Sequence, residues 1–176
     1  MKIKAIKFLG VIVVAIAVLF LSSGVQAGTQ SVILSPAQLS LAPGQSADIV
    51  ISYDVTAGAG KTTGVGFRVC YDSRLIEKIT LEDAYGEGLV AVDSEPVVDS
   101  RNIDGDMVTD RHIGAAWVGV AGDWPAMMKL PVQLGRLVVK LRPDAVSGQK
   151  TAVRITASGL PVGYTLDANM TTIVIK

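Results

Sequence analysis

Apolar and polar side chains alternate with a period of two along most of this chain, and this pattern limits the fold more than any other feature. It is clearest at 46–53, 136–141 and 153–156. Successive residues of a strand point to opposite faces of a sheet, so the period is typical of strands with one buried face. Valine and isoleucine, which suit a pleated surface, are frequent in these segments. No helical repeat is found beyond residue 27.

Turn signals divide the alternating sequence into short strands. Combinations of Gly, Pro and Asp occur at 42–44, 58–60, 85–88, 142–144 and 147–148. The spacing predicts an all-β fold, a single antiparallel β-sandwich of the jelly-roll kind formed by residues 28–176. The predicted strands are 31–34, 38–41, 46–54, 64–71, 75–81, 88–92, 112–120, 134–142, 150–157 and 171–175.

Residues 1–27 have the features of a secretory signal peptide. A basic start precedes an uncharged apolar run at 8–21, and small residues lead to Val25-Gln26-Ala27, an A-x-A-like cleavage site. We therefore expect cleavage after Ala27 and a chain that is secreted, periplasmic or held at the cell surface. An uncleaved membrane anchor is the alternative, although the run is short for a span of about 20 residues.

The exported chain would begin at Gly28 and hold 149 of the 176 residues, enough for one domain with its own core. The whole chain has 16 basic and 16 acidic residues; without Lys2, Lys4 and Lys7, 13 basic residues face 16 acidic ones, a net charge of −3. No cluster of Lys and Arg remains, which disfavours a nucleic-acid partner. No later apolar segment is long enough for a membrane span.

The longest stretch without strand character, about 93–111, carries a group of oxygen-bearing side chains. Calcium binds six to eight oxygens from carboxylates, amides, backbone carbonyls and water. Gly105 allows the tight backbone that a calcium loop needs. The sequence therefore predicts a Ca²⁺ site whose side-chain ligands are Asn102, Asp104, Asp106 and Asp110.

The predicted calcium site is not an EF-hand. If Asn102 is the first position, Met107 stands where the loop requires Gly and Ile113 where it requires Glu. We expect modest affinity, with a Kd of roughly 0.1–1 mM. The alternatives without metal are a solvated Asp/Gly turn, or pairing of Asp99 and Asp110 with Arg101 and Arg111.

Two tryptophans follow the acidic segment. Trp117 lies in the middle of a predicted strand and is expected in the core. Trp124, in a Gly-Asp-Trp-Pro turn, either packs over the end of the sheet or faces a ligand. With Tyr85 it is a candidate platform for a sugar ring.

Catalysis is disfavoured by the composition. His112 is the only histidine and Cys70 the only cysteine, so a zinc ligand set is lacking and no intramolecular disulfide can form. No Gly-x-Ser-x-Gly nucleophile motif is present. We interpret Cys70 as a small buried side chain and expect a protein that is not an enzyme.

Four segments together resemble cohesin-like domains, the sandwich modules of exported bacterial and archaeal proteins. They are SLAPGQSADIVISYDV (40–55), VGFRVCYDSRLIEKITL (65–81) with its Tyr71-Asp72 signature, the acidic loop leading to IGAAWVGVAGDWP (113–125), and LGRLVVKLRPDAVSGQKTAVRIT (134–156). The resemblance covers most of residues 31–157.

The resemblance implies a non-catalytic module for protein–protein or carbohydrate-associated recognition at the cell surface. The partner would be a dockerin-like protein, a second copy of the chain, or a polysaccharide. Two alternatives remain open. One is a structural subunit that assembles by edge-strand addition, with 172–175 completing its own sheet or joining a neighbour's; the other is a carbohydrate-binding module.

Overall fold

The computed structural model describes residues 28–56, 62–125 and 128–176, and the predicted signal segment 1–27 lies outside the described residues. Within the described ranges the chain forms strands and no helix, which confirms the all-β prediction. The strands are β1 (Gly28–Ser35), β2 (Gln38–Leu41), β3 (Ser46–Thr56), β4 (Gly64–Tyr71), β5 (Ile76–Glu82), β6 (Leu89–Val92), β7 (Val97–Val98), β8 (Arg111–Val118), β9 (Val132–Leu141), β10 (Lys150–Gly159), β11 (Tyr164–Ala168) and β12 (Met170–Ile175).

The strands form a five-stranded sheet and a seven-stranded sheet. The five-stranded sheet has the order β11-β1-β3-β9-β5. The seven-stranded sheet has the order β2-β12-β10-β4-β8-β6, and the short β7 pairs with β8. Most pairs are antiparallel; β1 with β11 and β12 with β2 are parallel. The first two strands therefore pair with the last two, one pair in each sheet.

Side-chain hydrogen bonds hold the chain where it passes between the sheets. The Asn169 side chain, between β11 and β12, accepts a hydrogen bond from the Leu34 amide at 2.6 Å and donates one to the Leu34 carbonyl at 2.9 Å. The Thr171 hydroxyl donates to the Pro36 carbonyl at 2.8 Å. These bonds satisfy backbone groups at the point where ladder pairing is interrupted.

An aromatic cluster lies between the two sheets. Phe67 stacks on Trp117 with ring centroids 5.6 Å apart, and Trp124 lies 6.4 Å from Trp117 and 4.8 Å from Tyr53. All four rings are buried. Trp117 is therefore a core residue, as the strand pattern predicts, and it is among the largest side chains that the sandwich buries.

The predicted strand positions agree with the structure apart from boundaries and two short strands. Neither β7 nor β11 was predicted. In β11 none of the side chains is fully buried, so the sequence YTLDA shows no apolar repeat. Its backbone is extended because it pairs with β1, and the paired residues Gly28 and Tyr164 are 136 positions apart in the sequence. Pairing over that distance has no local signal.

The C-terminal strand belongs to its own sheet. β12 pairs with β10 on one side and with β2 on the other. Both of its hydrogen-bonding edges are therefore used, and the possibility that 172–175 adds to a neighbouring chain is wrong for this structure. Ile173 and Ile175 are also buried in the core.

We expect Gly64→Ala to destabilise the protein by at least about 2 kcal/mol. Gly64 has a φ of 129°, and a Cβ atom there would lie 2.0 Å from the Trp117 carbonyl oxygen. Gly86→Ala is the matched control, because no atom lies within 4 Å of its Cβ position; its effect should be within about 0.5 kcal/mol. Urea unfolding followed by tryptophan fluorescence measures both, and equal midpoints would contradict the expectation.

Candidate functional site

The outer face of the five-stranded sheet carries a network of paired charges. The Arg136 guanidinium on β9 contacts the carboxylates of Asp48 at 2.9 Å, Glu82 at 2.7 Å and Asp83 at 3.1 Å. On the same strand, Lys140 pairs with Glu77 at 2.9 Å. A ligand on this face would have to displace water from groups that already neutralise one another.

The outer face of the seven-stranded sheet is different, because its centre is built from small residues. Along β4 the side chains of Val65 and Phe67 point into the core, so Gly64 and Gly66 point outward. On the adjacent β8, Gly114 and Ala116 point outward. The strands can approach closely here: a Cβ on Gly66 would lie 2.9 Å from the Ser158 hydroxyl.

A shallow cavity of about 370 Å³ lies at one end of this face. Its lining includes Gly64, Gly66, Ala116, Val118 and Leu160, and no lining residue is charged. The walls come from β4, β8 and the segment that follows the β10 bulge near Gly159. An uncharged concave surface of this kind accepts apolar groups at little desolvation cost.

One exposed apolar side chain lines the cavity, and two more lie on neighbouring segments. Val118 lines it, Val162 follows the lining residue Pro161, and Val90 lies on β6, which pairs with β8. Val162 is 85% exposed and Val90 is 62% exposed. Single exposed valines are ordinary, but these three lie on or next to the segments that form one uncharged depression.

The four predicted calcium ligands make other contacts. Asp106 contacts the Arg154 guanidinium at 3.0 Å and accepts a hydrogen bond from the Val108 amide. Asp104 accepts hydrogen bonds from the Asp106 amide and the Thr109 hydroxyl. The exposed Asn102 has a φ of 52°, the left-handed conformation that asparagine tolerates in turns.

Asp110 bonds to the chain after β4 rather than to the loop. Its carboxylate accepts hydrogen bonds from the Ser73 amide at 2.7 Å and the Ser73 hydroxyl at 2.6 Å. Desolvation by itself raises the pKa of Asp110, but these hydrogen bonds and the charge of Arg111 outweigh it and hold the pKa below the usual value near 3.8. The carboxylate is therefore an anchor for the end of the loop.

The loop carboxylates thus serve mainly as acceptors for backbone amides. Asp99 accepts from the amides of Arg101 and Ile103. Among residues 28–56, 62–125 and 128–176, no three His, Cys, Asp or Glu side chains are grouped to hold a metal ion. The calcium site stays a prediction from the sequence, and binding would require these side chains to rearrange.

Of the two proposed sugar platforms, Trp124 is buried and Tyr85 is only partly exposed. Trp124 is 1% exposed, so its assignment to ligand binding is corrected: the ring packs on Tyr53, and its Nε1 donates to the Glu87 carbonyl at 3.0 Å. Tyr85 is partly buried against the core, and its hydroxyl donates to the Glu87 carboxylate at 2.5 Å. Burial, with the Glu87 hydrogen bond and charge, raises the pKa of Tyr85 to about 12.

Cys70 is fully buried although it lies on the outward side of β4. Its cross-strand neighbours are His112 on β8 and Arg154 on β10. Burial, assisted by the nearby charges of Asp104 and Asp99, raises the pKa of the Cys70 thiol to about 12. Two carboxylates of the acidic loop are therefore close enough to act on this thiol, and no sequence pattern predicts that closeness.

The small outward-facing residues were not identified from the sequence. Glycines inside strands mark a bulge or a close approach of another backbone or ligand, and the segments Val-Gly-Phe (65–67) and Ile-Gly-Ala (113–115) contain that signal. The sequence therefore contains a sign of close approach at these glycines, but only the strand pairing shows that Gly66 and Ala116 are neighbours.

We expect Asp110→Asn to lower the unfolding free energy by about 1 kcal/mol at pH 7, because it weakens two hydrogen bonds to a charged acceptor. A lowered carboxylate pKa contributes stability that is present above the unfolded value and lost as pH falls through the folded value. The difference between wild type and variant should therefore shrink below about pH 4. Urea titrations at several pH values test this.

Ser73→Ala supplies the control for that measurement. It removes the hydroxyl donor at 2.6 Å and leaves the Ser73 amide in place. In this background the cost of Asp110→Asn at pH 7 should be smaller. A cost that is identical at pH 7 and pH 3 would contradict the assigned role of the carboxylate.

In the part of the chain that the structure describes, no helix has the length and apolar character needed to cross a membrane. The sequence matches no protein-family model and no curated protein.

Solved structures with a similar fold are cohesin modules. One is the OlpC cohesin from Clostridium thermocellum, solved in a type I cohesin–dockerin complex: 12% identity, TM-score 0.51, covering 86% of this chain and 96% of that one. Another is the type III cohesin of the cell-surface anchoring scaffoldin ScaE from Ruminococcus flavefaciens: 16% identity, TM-score 0.46, covering 90% and 92%. At such identities the likeness describes the fold alone. The described chain therefore has a cohesin-like β-sandwich fold, as the four sequence segments implied.

Proposed function

We propose that this protein is a non-catalytic recognition module that binds a protein partner through the outer face of its seven-stranded sheet. The observation that carries the proposal is the contrast between the two outer faces. One face carries paired charges around Arg136, and the other has an uncharged cavity lined by the exposed Val118.

The energetic argument concerns desolvation. Protein interfaces have cores that are depleted in charged residues, because burying an ion pair costs more than its attraction returns unless the geometry is excellent. Around Gly66 and Ala116 a partner meets backbone, small apolar groups and the uncharged side chains of Thr63 and Ser158. Around Arg136 it would have to bury one guanidinium and three carboxylates.

A dockerin-type protein is the kind of partner that the fold supports. The OlpC cohesin, whose fold is similar, was solved bound to a dockerin. Export, proposed from the features of residues 1–27, would place the module in the periplasm, outside the cell or at its surface. A polysaccharide ligand finds less support, because Trp124 is buried and Tyr85 is partly packed.

A calcium site in the 102–110 loop is a separate proposal, supported by the oxygen-rich sequence. Binding to the native state alone would raise the thermal midpoint. Melting curves with millimolar calcium and with chelator test it, and an unchanged midpoint would reject it.

We expect Val118→Arg to weaken partner binding at least about tenfold, since it places a charge beside the uncharged cavity. Ile33→Arg is the matched control: Ile33 is 43% exposed and Val118 44%, and Ile33 lies on β1 of the other sheet. A displayed library of genomic fragments, selected on the wild-type protein, supplies binders for titration against both variants.

Circular dichroism and thermal midpoints should first show that both variants fold. Binders that lose affinity for Val118→Arg but not for Ile33→Arg support the proposed face. Binders that are weakened only by Ile33→Arg would move the interface to the five-stranded sheet and refute the proposal.

A further inference from the structure

Residues 99–109, here called the strap, lie on the outer face of the seven-stranded sheet, over β4, β8 and β10. The two ends of the strap meet where the Asp99 amide donates to the Asp110 carbonyl at 2.8 Å. A space of about 220 Å³ separates strap residues such as Ile103 from Arg68 and His112 on the sheet. Compact loops with adjacent ends of this kind frequently have functional roles.

The strap has little apolar anchorage. None of its residues belongs to the hydrophobic core, and Thr109 is the one buried residue within it. Met107 is 90% exposed and Val108 is 50% exposed. Segments with few buried apolar contacts are the ones that open locally at low free-energy cost.

Few polar contacts join the strap to the sheet. Asp110, which follows the strap, is fixed to Tyr71 and Ser73. Within 99–109, apart from the bond of Asp99 to Asp110, two polar contacts lead out of the strap among the described residues: Asp106 to Arg154 at 3.0 Å, and the Arg74 guanidinium to the Val108 carbonyl at 3.3 Å. The other hydrogen bonds, such as those of Asp104 with Asp106 and Thr109, are internal. The strap can therefore leave the sheet with its own turns intact.

Some buried polar atoms between the strap and the sheet also lack hydrogen bonds. Three buried polar atoms lack a hydrogen-bond partner: Oδ2 of Asp104, Nδ1 of His112 and Nε of Arg154. His112 and Arg154 flank Cys70 in one row across β8, β4 and β10. Unpaired buried polar groups destabilise the closed arrangement, and water would satisfy them if the strap moved away.

We propose that the strap is a movable cover that opens while the sandwich stays folded, uncovering Cys70 and the row formed by His112 and Arg154. The ion pair between Asp106 and Arg154 is the latch. Opening lengthens the exposed outer face of β4 and β8 beyond Gly66 and Ala116. The use of this longer face by a partner rests on the proposed function, whereas the opening of the strap does not.

Cys70 reports the opening directly, because it is the only cysteine of the chain. In the closed form the thiol is buried, and burial raises its pKa to about 12, so we expect that form to react with neither disulfide reagents nor alkylating agents. We expect 5,5′-dithiobis(2-nitrobenzoate) at pH 8 to label the native protein faster than global unfolding allows. The labelling rate should depend only weakly on low urea concentrations, since local opening exposes little surface.

Asp106→Asn tests the latch, because it removes the charge and keeps an acceptor for the Val108 amide. Labelling should accelerate by up to about fivefold, the upper end of the range for a partly exposed ion pair. Asp48→Asn makes the same chemical change at a 2.9 Å ion pair with Arg136 on the opposite sheet and should leave the rate unchanged.

Labelling of the wild-type protein decides the proposal even if a variant folds poorly. Global unfolding is measured separately by tryptophan fluorescence. If labelling has the same rate and the same urea dependence as global unfolding, the proposal of a movable strap is overturned. Equal acceleration by Asp106→Asn and Asp48→Asn would overturn the assignment of the latch. Partner binding is not needed for any of these outcomes, so they are independent of the proposed function.

Discussion

The packing of Phe67 against Trp117 is the interaction on which the rest of the structure depends. It joins the inward faces of β4 and β8 in the middle of the seven-stranded sheet, and Trp124 extends the cluster to Tyr53 on the five-stranded sheet. The indole nitrogens donate to the carbonyls of Tyr85 and Glu87. The aromatic core therefore also positions the segment that leads into β6.

The outer face of the same two strands follows from this packing. Side chains alternate along a strand, so large residues at 65 and 67 leave 64 and 66 to the outside, where the backbone of neighbouring strands comes close. A Cβ at Gly64 would collide with the Trp117 carbonyl. The uncharged depression is thus a consequence of close strand packing, and a partner is proposed to use a surface that the fold already requires.

The candidate site was only partly predictable. The sequence shows oxygen-bearing residues at near-alternate positions from Asn102, but it does not show which donors those oxygens meet. In the folded chain Asp110 bonds Ser73, 37 positions earlier, and Asp106 bonds Arg154. Trp124 illustrates the same limit: a tryptophan in a turn suits either a core or a ligand surface, and the decision depends on how Tyr53 and Glu87 are placed around it.

The period-two pattern by itself leads to strands, to a sandwich and to the positions of most core residues, because burial of one sheet face is a local requirement repeated at every strand. The segments around Tyr71-Asp72 and the late core strand also identify the cohesin-like fold. The contrast between the charge network around Arg136 and the uncharged cavity on the other sheet, and the closeness of the acidic loop to Cys70, come from the three-dimensional arrangement alone. They depend on which strands become neighbours, such as β8, β4 and β10, and pairing over such sequence distances leaves no local trace.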